Sequence, residues 1–310
     1  MPLCDLLGTS NDARDPISLQ MPVGGGIPAQ MHQKLGTLAR LQPKDPVAQH
    51  NIRLIVNSMR AYPYMMLRRE TFPPFIHPQW HRQNPPTLPW PLANCMGIAS
   101  LFVSRTTETK LLLWETVRSE SQRCLDEMVD MSEECFLGAI QVQVMYLIMR
   151  VVDGETHPDP LNLQLLATFK VLCQQFKALN DGNFFPCRSS DWESWIHTES
   201  RVRILVVFFL ISRVISIFTG LNCPIVDLYR ELPICSTRGP WEAKTDTEWQ
   251  LELAACAYAK DDGLSTIGHM IDLGKADGEH SHSHMLDSWN ATADNLGILL
   301  QSVTLTIAHA

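Results

Sequence analysis

From Ser190 to Gly220 the chain reads SDWESWIHTESRVRILVVFFLISRVISIFTG, and the reading of this stretch decides the fold. Ser190 with Glu193 three residues on has the form of a capping box, in which each side chain accepts a backbone N–H of the first turn. It predicts a long helix from about Asp191 to Phe218, stopped by Gly220 and Pro224. The apolar centre invites a membrane reading over Ile204 to Leu221. Its unbroken run, Ile204–Ile211, is only eight residues, and Arg213 interrupts the apolar residues beyond it. A span needs about 20 predominantly apolar residues, and a central Arg costs about 2.5–3.5 kcal/mol even on the lenient insertion scale. The stretch therefore reads as a buried core helix. Arg201, Arg203 and Arg213 sit on it, where an unpaired charge would be costly. Arg203 lies four residues after Glu199 on the same helix face, which predicts a structural i,i+4 ion pair.

Helical spacing continues on both sides. Leu92, Met96, Ala99 and Val103 recur at 4, 3 and 4, and Phe136, Ile140, Val144, Leu147 and Val151 at 4, 4, 3 and 4. Leu165, Phe169, Leu172 and Phe176 repeat the pattern after Asp159-Pro160, with Pro suited to a first helical turn. Trp289, Ala293, Leu296, Leu300, Val303 and Ile307 predict a final helix over about 286–308 whose 4, 3 spacing fits a homodimer seam as well as a core face. Between them, about 257–285 reads as a loop. No run alternates with period 2, so the fold is expected to be all-α, a multi-helix domain.

The front of the chain differs from this body. Residues 1–91 carry 14 of the 20 prolines and a net charge of +4, whereas 92–310 carry −12. Residues 1–50, with Gly24-Gly25-Gly26, read as a Pro/Gly-rich arm or linker. Asp45 to Met66 predicts a short helix with Ile52, Ile55, Val56 and Met59 on one face. Phe72-Pro73-Pro74-Phe75-Ile76-His77-Pro78 must be extended, because prolines cannot continue a helix, and its aromatic residues should lie along a surface of the body.

Of the 310 residues 45% are hydrophobic, enough for a large core. The net charge of −8 makes the whole chain a poor grip for DNA, which requires a basic face. Arg68, Arg69 and Arg82 near Phe72, Phe75 and Trp80 form a small nucleic-acid candidate, divided by Glu70, for which packing of the arm is the plainer account. Nine scattered cysteines, no two closer than eleven residues, point to free, buried thiols in a reducing compartment. Met1-Pro2-Leu3-Cys4-Asp5 lacks the basic and apolar start of a signal peptide, so secretion is not expected. Paired cysteines of a zinc finger are missing from the sequence, and His280-Ser281-His282-Ser283-His284 reads as a solvated loop rather than a metal site. Gly268-His269-Met270-Ile271-Asp272-Leu273-Gly274-Lys275-Ala276 is one residue too long for a phosphate-binding loop and lacks its final hydroxyl. No catalytic, cofactor-binding or metal-ligating residues are assigned.

Trp195-Ile196-His197-Thr198-Glu199-Ser200-Arg201-Val202-Arg203 resembles the W-I-x-x-E-S-x-x-R signature of the fungal-specific transcription factor domain, the helical middle homology region of fungal zinc-cluster regulators. The apolar helix after it is similar too, as is Asp227 to Cys235 with Pro233. Pro240-Trp241-Glu242-Ala243 and Glu248-Trp249 resemble the family's Trp-Glu-Ala and second Trp. Ser58 to Pro63 and Met65 to Pro78 look like a stretch of its finger-bearing members. The resemblance implies one helical domain over 51–310, with its core over 92–256, and a structural role for Trp195, Ile196, Glu199, Ser200, Arg203, Pro233, Trp241, Glu242 and Trp249. It implies a non-enzymatic, nuclear transcriptional regulator, of a biosynthetic gene cluster or catabolic pathway, that meets a protein partner or small effector, without cofactor or membrane. The family's zinc-binding head has no counterpart in this sequence, so direct DNA binding is not carried over. A headless regulator, a form truncated at the front, and an enzyme or accessory subunit on the same scaffold remain the alternatives.

Overall fold

Fifteen consecutive residues, Phe136 to Arg150, are all buried, so one helix of this protein has no solvent face. A computed structural model describes residues 46–68, 71–81, 88–154, 160–180, 191–219, 229–258, 264–275 and 280–308. In chain order its helices are α1 (Pro46–Met59), α2 (Tyr62–Met65), α3 (Trp90–Val103), α4 (Lys110–Asp126), α5 (Glu133–Asp153), α6 (Pro160–Leu179), α7 (Trp192–Thr219), α8 (Arg238–Glu242), α9 (Asp246–Tyr258), α10 (Ile267–Lys275), α11 (His280–Thr292) and α12 (Asn295–Ala308). The protein is all-α. Among the described residues the sole β contact is an isolated antiparallel bridge, Pro233 to Thr266.

The fully buried helix is α5. Ser132 caps it by accepting the Cys135 N–H at 3.3 Å, and Glu133 and Glu134 lie in its first turn, where carboxylates favour the helix dipole. Gly154 ends it in the left-handed conformation, φ 66°, that a side chain would strain. Helices α1, α3, α6 and α7 surround it. A helix apolar on all sides belongs at the centre of a fold or in a membrane. By length and composition α5 could cross one, yet 89% of its most apolar window is buried against its own neighbours.

Four expectations need adjustment. On α3 the buried residues are Pro91, Leu92, Cys95, Ile98, Ala99 and Phe102, while Met96 and Val103 are only half-buried. The real stripe is turned because Cys95 behaves as a small apolar residue facing α5. Helix α7 is capped by Asp191, whose carboxylate accepts the N–H and hydroxyl of Ser194 at 2.9 Å each. Ser190, expected in that role, lies outside the described residues. The expected loop at 257–285 contains α10 and the start of α11, which takes up the alternating histidines.

The final helix is also broken. Asp294 accepts the Gly297 N–H at 3.0 Å and starts α12 afresh, so Trp289 belongs to α11. Leu296, Leu300 and Val303 are at most 2% exposed, and α12 packs on α1, α7 and α10. The seam foreseen for a second copy is used within the chain.

A fifth adjustment falls before α3. The stretch expected to be extended over 72–78 is so only over Thr71–Pro73, then turns through Pro74–Ile76, where the Ile76 N–H donates to the Pro73 carbonyl at 2.9 Å. Prolines exclude a helix interior but not a turn. Phe72, Phe75, Ile76 and His77 are all buried. Phe72 and Phe75 therefore pack in the core and are not free to stack on bases. Arg82 lies outside the described residues.

Candidate functional site

Arg203 is fully buried on α7, four residues after Glu199, and the helix pitch brings the two side chains together. Its Nε donates to Glu199 Oε1 at 2.8 Å. One terminal nitrogen, Nη1, donates to the Pro74 carbonyl at 3.0 Å and to Asp294 Oδ2. The other, Nη2, donates to the Ser236 carbonyl at 3.2 Å. The Trp241 ring covers the guanidinium, 4.0 Å from Cζ to ring centre. Arginine carries five N–H groups, so one side chain joins the extended segment, α7, the 236 loop, α8 and the start of α12.

The carboxylates are held in turn. Glu199 Oε1 also accepts the Ser236 N–H at 2.7 Å, and Asp294 Oδ1 takes the Gly297 N–H. Burial raises the Glu199 pKa, against the opposing effects of Arg203 and Ser236. Burial alone would lower that of Arg203, but Asp294 and Glu199 more than offset it and hold it above the ordinary value. Burial, and then Asp294, pushes the Tyr62 phenol up, so it stays protonated.

Two further ties fasten the extended segment. Gln141 of α5 donates to the Phe75 carbonyl at 2.8 Å. His77 Nδ1 accepts the Gln79 N–H at 3.2 Å, which leaves Nε2 to donate to the Trp241 carbonyl at 2.9 Å. Those bonds select the neutral Nε2–H tautomer. The imidazole also meets the Trp241 ring edge-on at 4.8 Å.

The structure brings Glu199, Arg203 and Trp241 into one cluster. Trp195 meets Trp249 separately, ring centres 5.8 Å apart, which docks α9 on α7. Ile196 and Ser200 are buried on α7, Pro233 bridges to Thr266 before α10, and Glu242 is exposed. Asp294, Ser236, His77 and the Pro74 carbonyl were not foreseen. Only Asp294 had a local signal, an acidic cap residue before an apolar run. Arg201, itself buried, reaches out to pair with Glu133, which is exposed, and lies over the Phe176 ring at 4.5 Å.

Burial raises the pKa of Cys95, Cys173 and Cys235, and that of Cys124 to about 12. These thiols stay protonated at neutral pH, which is unfavourable for nucleophilic chemistry. Among the described residues no group of three or more His, Cys, Asp or Glu could hold a metal ion. The cluster's chemistry is that of a clamp, in which one guanidinium holds two carboxylates and ties α7 to four other segments. In comparisons with known proteins, no family model matches the chain, and no curated protein or solved structure matches it either.

Proposed function

We propose that this protein is a nuclear transcriptional regulator that works through its helical body, by contact with a protein partner or small effector. The carrying observation is the ordered resemblance of Trp195, Ile196, Glu199, Ser200 and Arg203, then Trp241 and Trp249, to the fungal-specific transcription factor domain. It is supported by the way Glu199, Arg203 and Trp241 act together as one clamp, and Trp195 with Trp249 as a second contact. Residues that recur in order for a structural reason should meet in space, as Glu199, Arg203 and Trp241 do, and Trp195 and Trp249. The thiols held protonated by burial favour this reading over the enzymatic one.

The test is to fuse the chain to an unrelated DNA-binding domain above a reporter gene in a yeast host, and to locate a fluorescent fusion. A regulator accumulates in the nucleus and changes reporter output, and an Arg203→Ala variant loses the effect. A stable fusion that stays out of the nucleus and leaves the reporter unchanged overturns the reading.

A further inference from the structure

The surface of α1 and α2 has an unusual charge for so acidic a chain. Its exposed residues are His50, Arg53, Leu54 and Asn57 on α1, Arg60 and Ala61 in the turn after it, Tyr64 on α2, and Leu67 and Arg68 just beyond, and together they form the stripe. Residues 46–68 contain no Asp or Glu, and neither do α3 and α12, which pack against α2 and α1. Arg53, Arg60 and Arg68 have no carboxylate partner among the described residues. Between them Leu54, Tyr64 and Leu67 are 43%, 57% and 40% exposed. Phosphate groups alone would leave those apolar side chains without a counterpart. An acidic helix that also presents apolar groups would meet both kinds of residue.

Such a helix exists on the same chain. Helix α9 contains Asp246, Glu248 and Glu252 and no Lys or Arg. It packs on α8 and, through Trp249, on Trp195. Its outward face offers Leu251, 67% exposed, with Ala254 and Ala255 one turn on, small enough for another helix to approach closely. Its carboxylates make no ion pair among the described residues, and hydrogen bonds hold two of them: Asp246 accepts Gln250, and Glu248 accepts the Lys244 N–H.

We propose that the basic α1–α2 stripe of one copy docks on the acidic α9 face of a second copy. Two different surfaces then meet, so the contact is head-to-tail and builds a ring where the rotation closes and an open chain where it does not. This inference does not depend on the regulatory reading.

Sedimentation velocity on the full chain tests it. At an ionic strength of about 0.05 M the protein should form oligomers that grow with concentration, and at about 0.5 M these should dissociate. Arg53→Gln/Arg60→Gln should be monomeric, and so should Leu251→Lys/Ala255→Lys. All four positions are exposed, and unchanged circular dichroism confirms each fold. An equal mixture of the two variants restores one stripe–α9 contact and should stop at a dimer. The inference is overturned if the wild type stays monomeric at low salt, or if folded variants still assemble. A mixture that stays monomeric also overturns it, as does a stripe that binds a DNA duplex without any self-association.

Discussion

Asp294, the residue that starts α12, hydrogen-bonds through Oδ2 to Nη1 of Arg203 on α7, 91 positions earlier, while its Oδ1 caps its own helix. One carboxylate thus begins a helix and pairs with a cation in the core. Replacing Asp294 by Asn keeps an oxygen for the cap and removes the charge. Breaking a buried ion pair costs about 3–5 kcal/mol, and the lower end is expected because Glu199 still faces Arg203. Asp294→Ala should lose about 1 kcal/mol more through the cap. Urea unfolding with an unchanged m-value checks both.

Arg203→Lys should be nearly as damaging as Arg203→Ala. An ammonium has three N–H donors on a single nitrogen, whereas this site uses four hydrogen bonds in a planar fork beneath Trp241. A loss of about 3 kcal/mol is expected for Lys. A thermal midpoint within a degree or so of wild type would show that the fork geometry is dispensable.

Stability should also depend on pH through His197. Burial lowers its pKa from 6.5. The unfolded chain then binds the proton more tightly, so folding stability falls as pH drops through 6.5 toward the lower folded value. His197→Gln should flatten that fall between about pH 7 and pH 5. Denaturation curves at several pH values give the two slopes, and equal slopes would rule His197 out as their source.

Two glycines should respond oppositely to alanine. A Cβ at Gly268 would come within 2.8 Å of the Arg230 carbonyl, whose oxygen already accepts the Gly268 N–H at 2.9 Å. Gly268→Ala should destabilise by about 1–3 kcal/mol. Gly97, inside α3, has nothing within 4 Å of its would-be Cβ, so Gly97→Ala should stabilise by about 0.4–1 kcal/mol. Paired thermal melts read both signs.

The fold was legible wherever periodicity was strong. Residues Leu165, Phe169, Leu172 and Phe176, and the run Ile204 to Ile211, are buried in helices as their spacing predicts. On α3 the expected Leu92 and Ala99 are buried, but the stripe's centre is turned toward Cys95, Ile98 and Phe102, because Met and Val outweighed Cys95 in the pattern. Helix α10 was missed because it is nine residues long and carries two glycines. The Glu199–Arg203 pair could be read because its spacing is local. Asp294, the Ser236 carbonyl and the Pro74 carbonyl could not, since they lie 91, 33 and 129 positions from Arg203 and only the tertiary fold brings them there.

Those separations set a timetable for synthesis. When α7 leaves the ribosome, Arg203 already has Glu199 beside it, but Asp294 has not yet been made. The guanidinium cannot be sealed in the core until the start of α12 emerges, because contacts of such long range form only after the intervening chain is ordered. Until then the sides of α1 and α7 that α12 covers lack the helix that packs on them. This protein therefore completes its core only once α12 has been translated, and a chain interrupted before Asp294 is left holding an exposed apolar surface for chaperones.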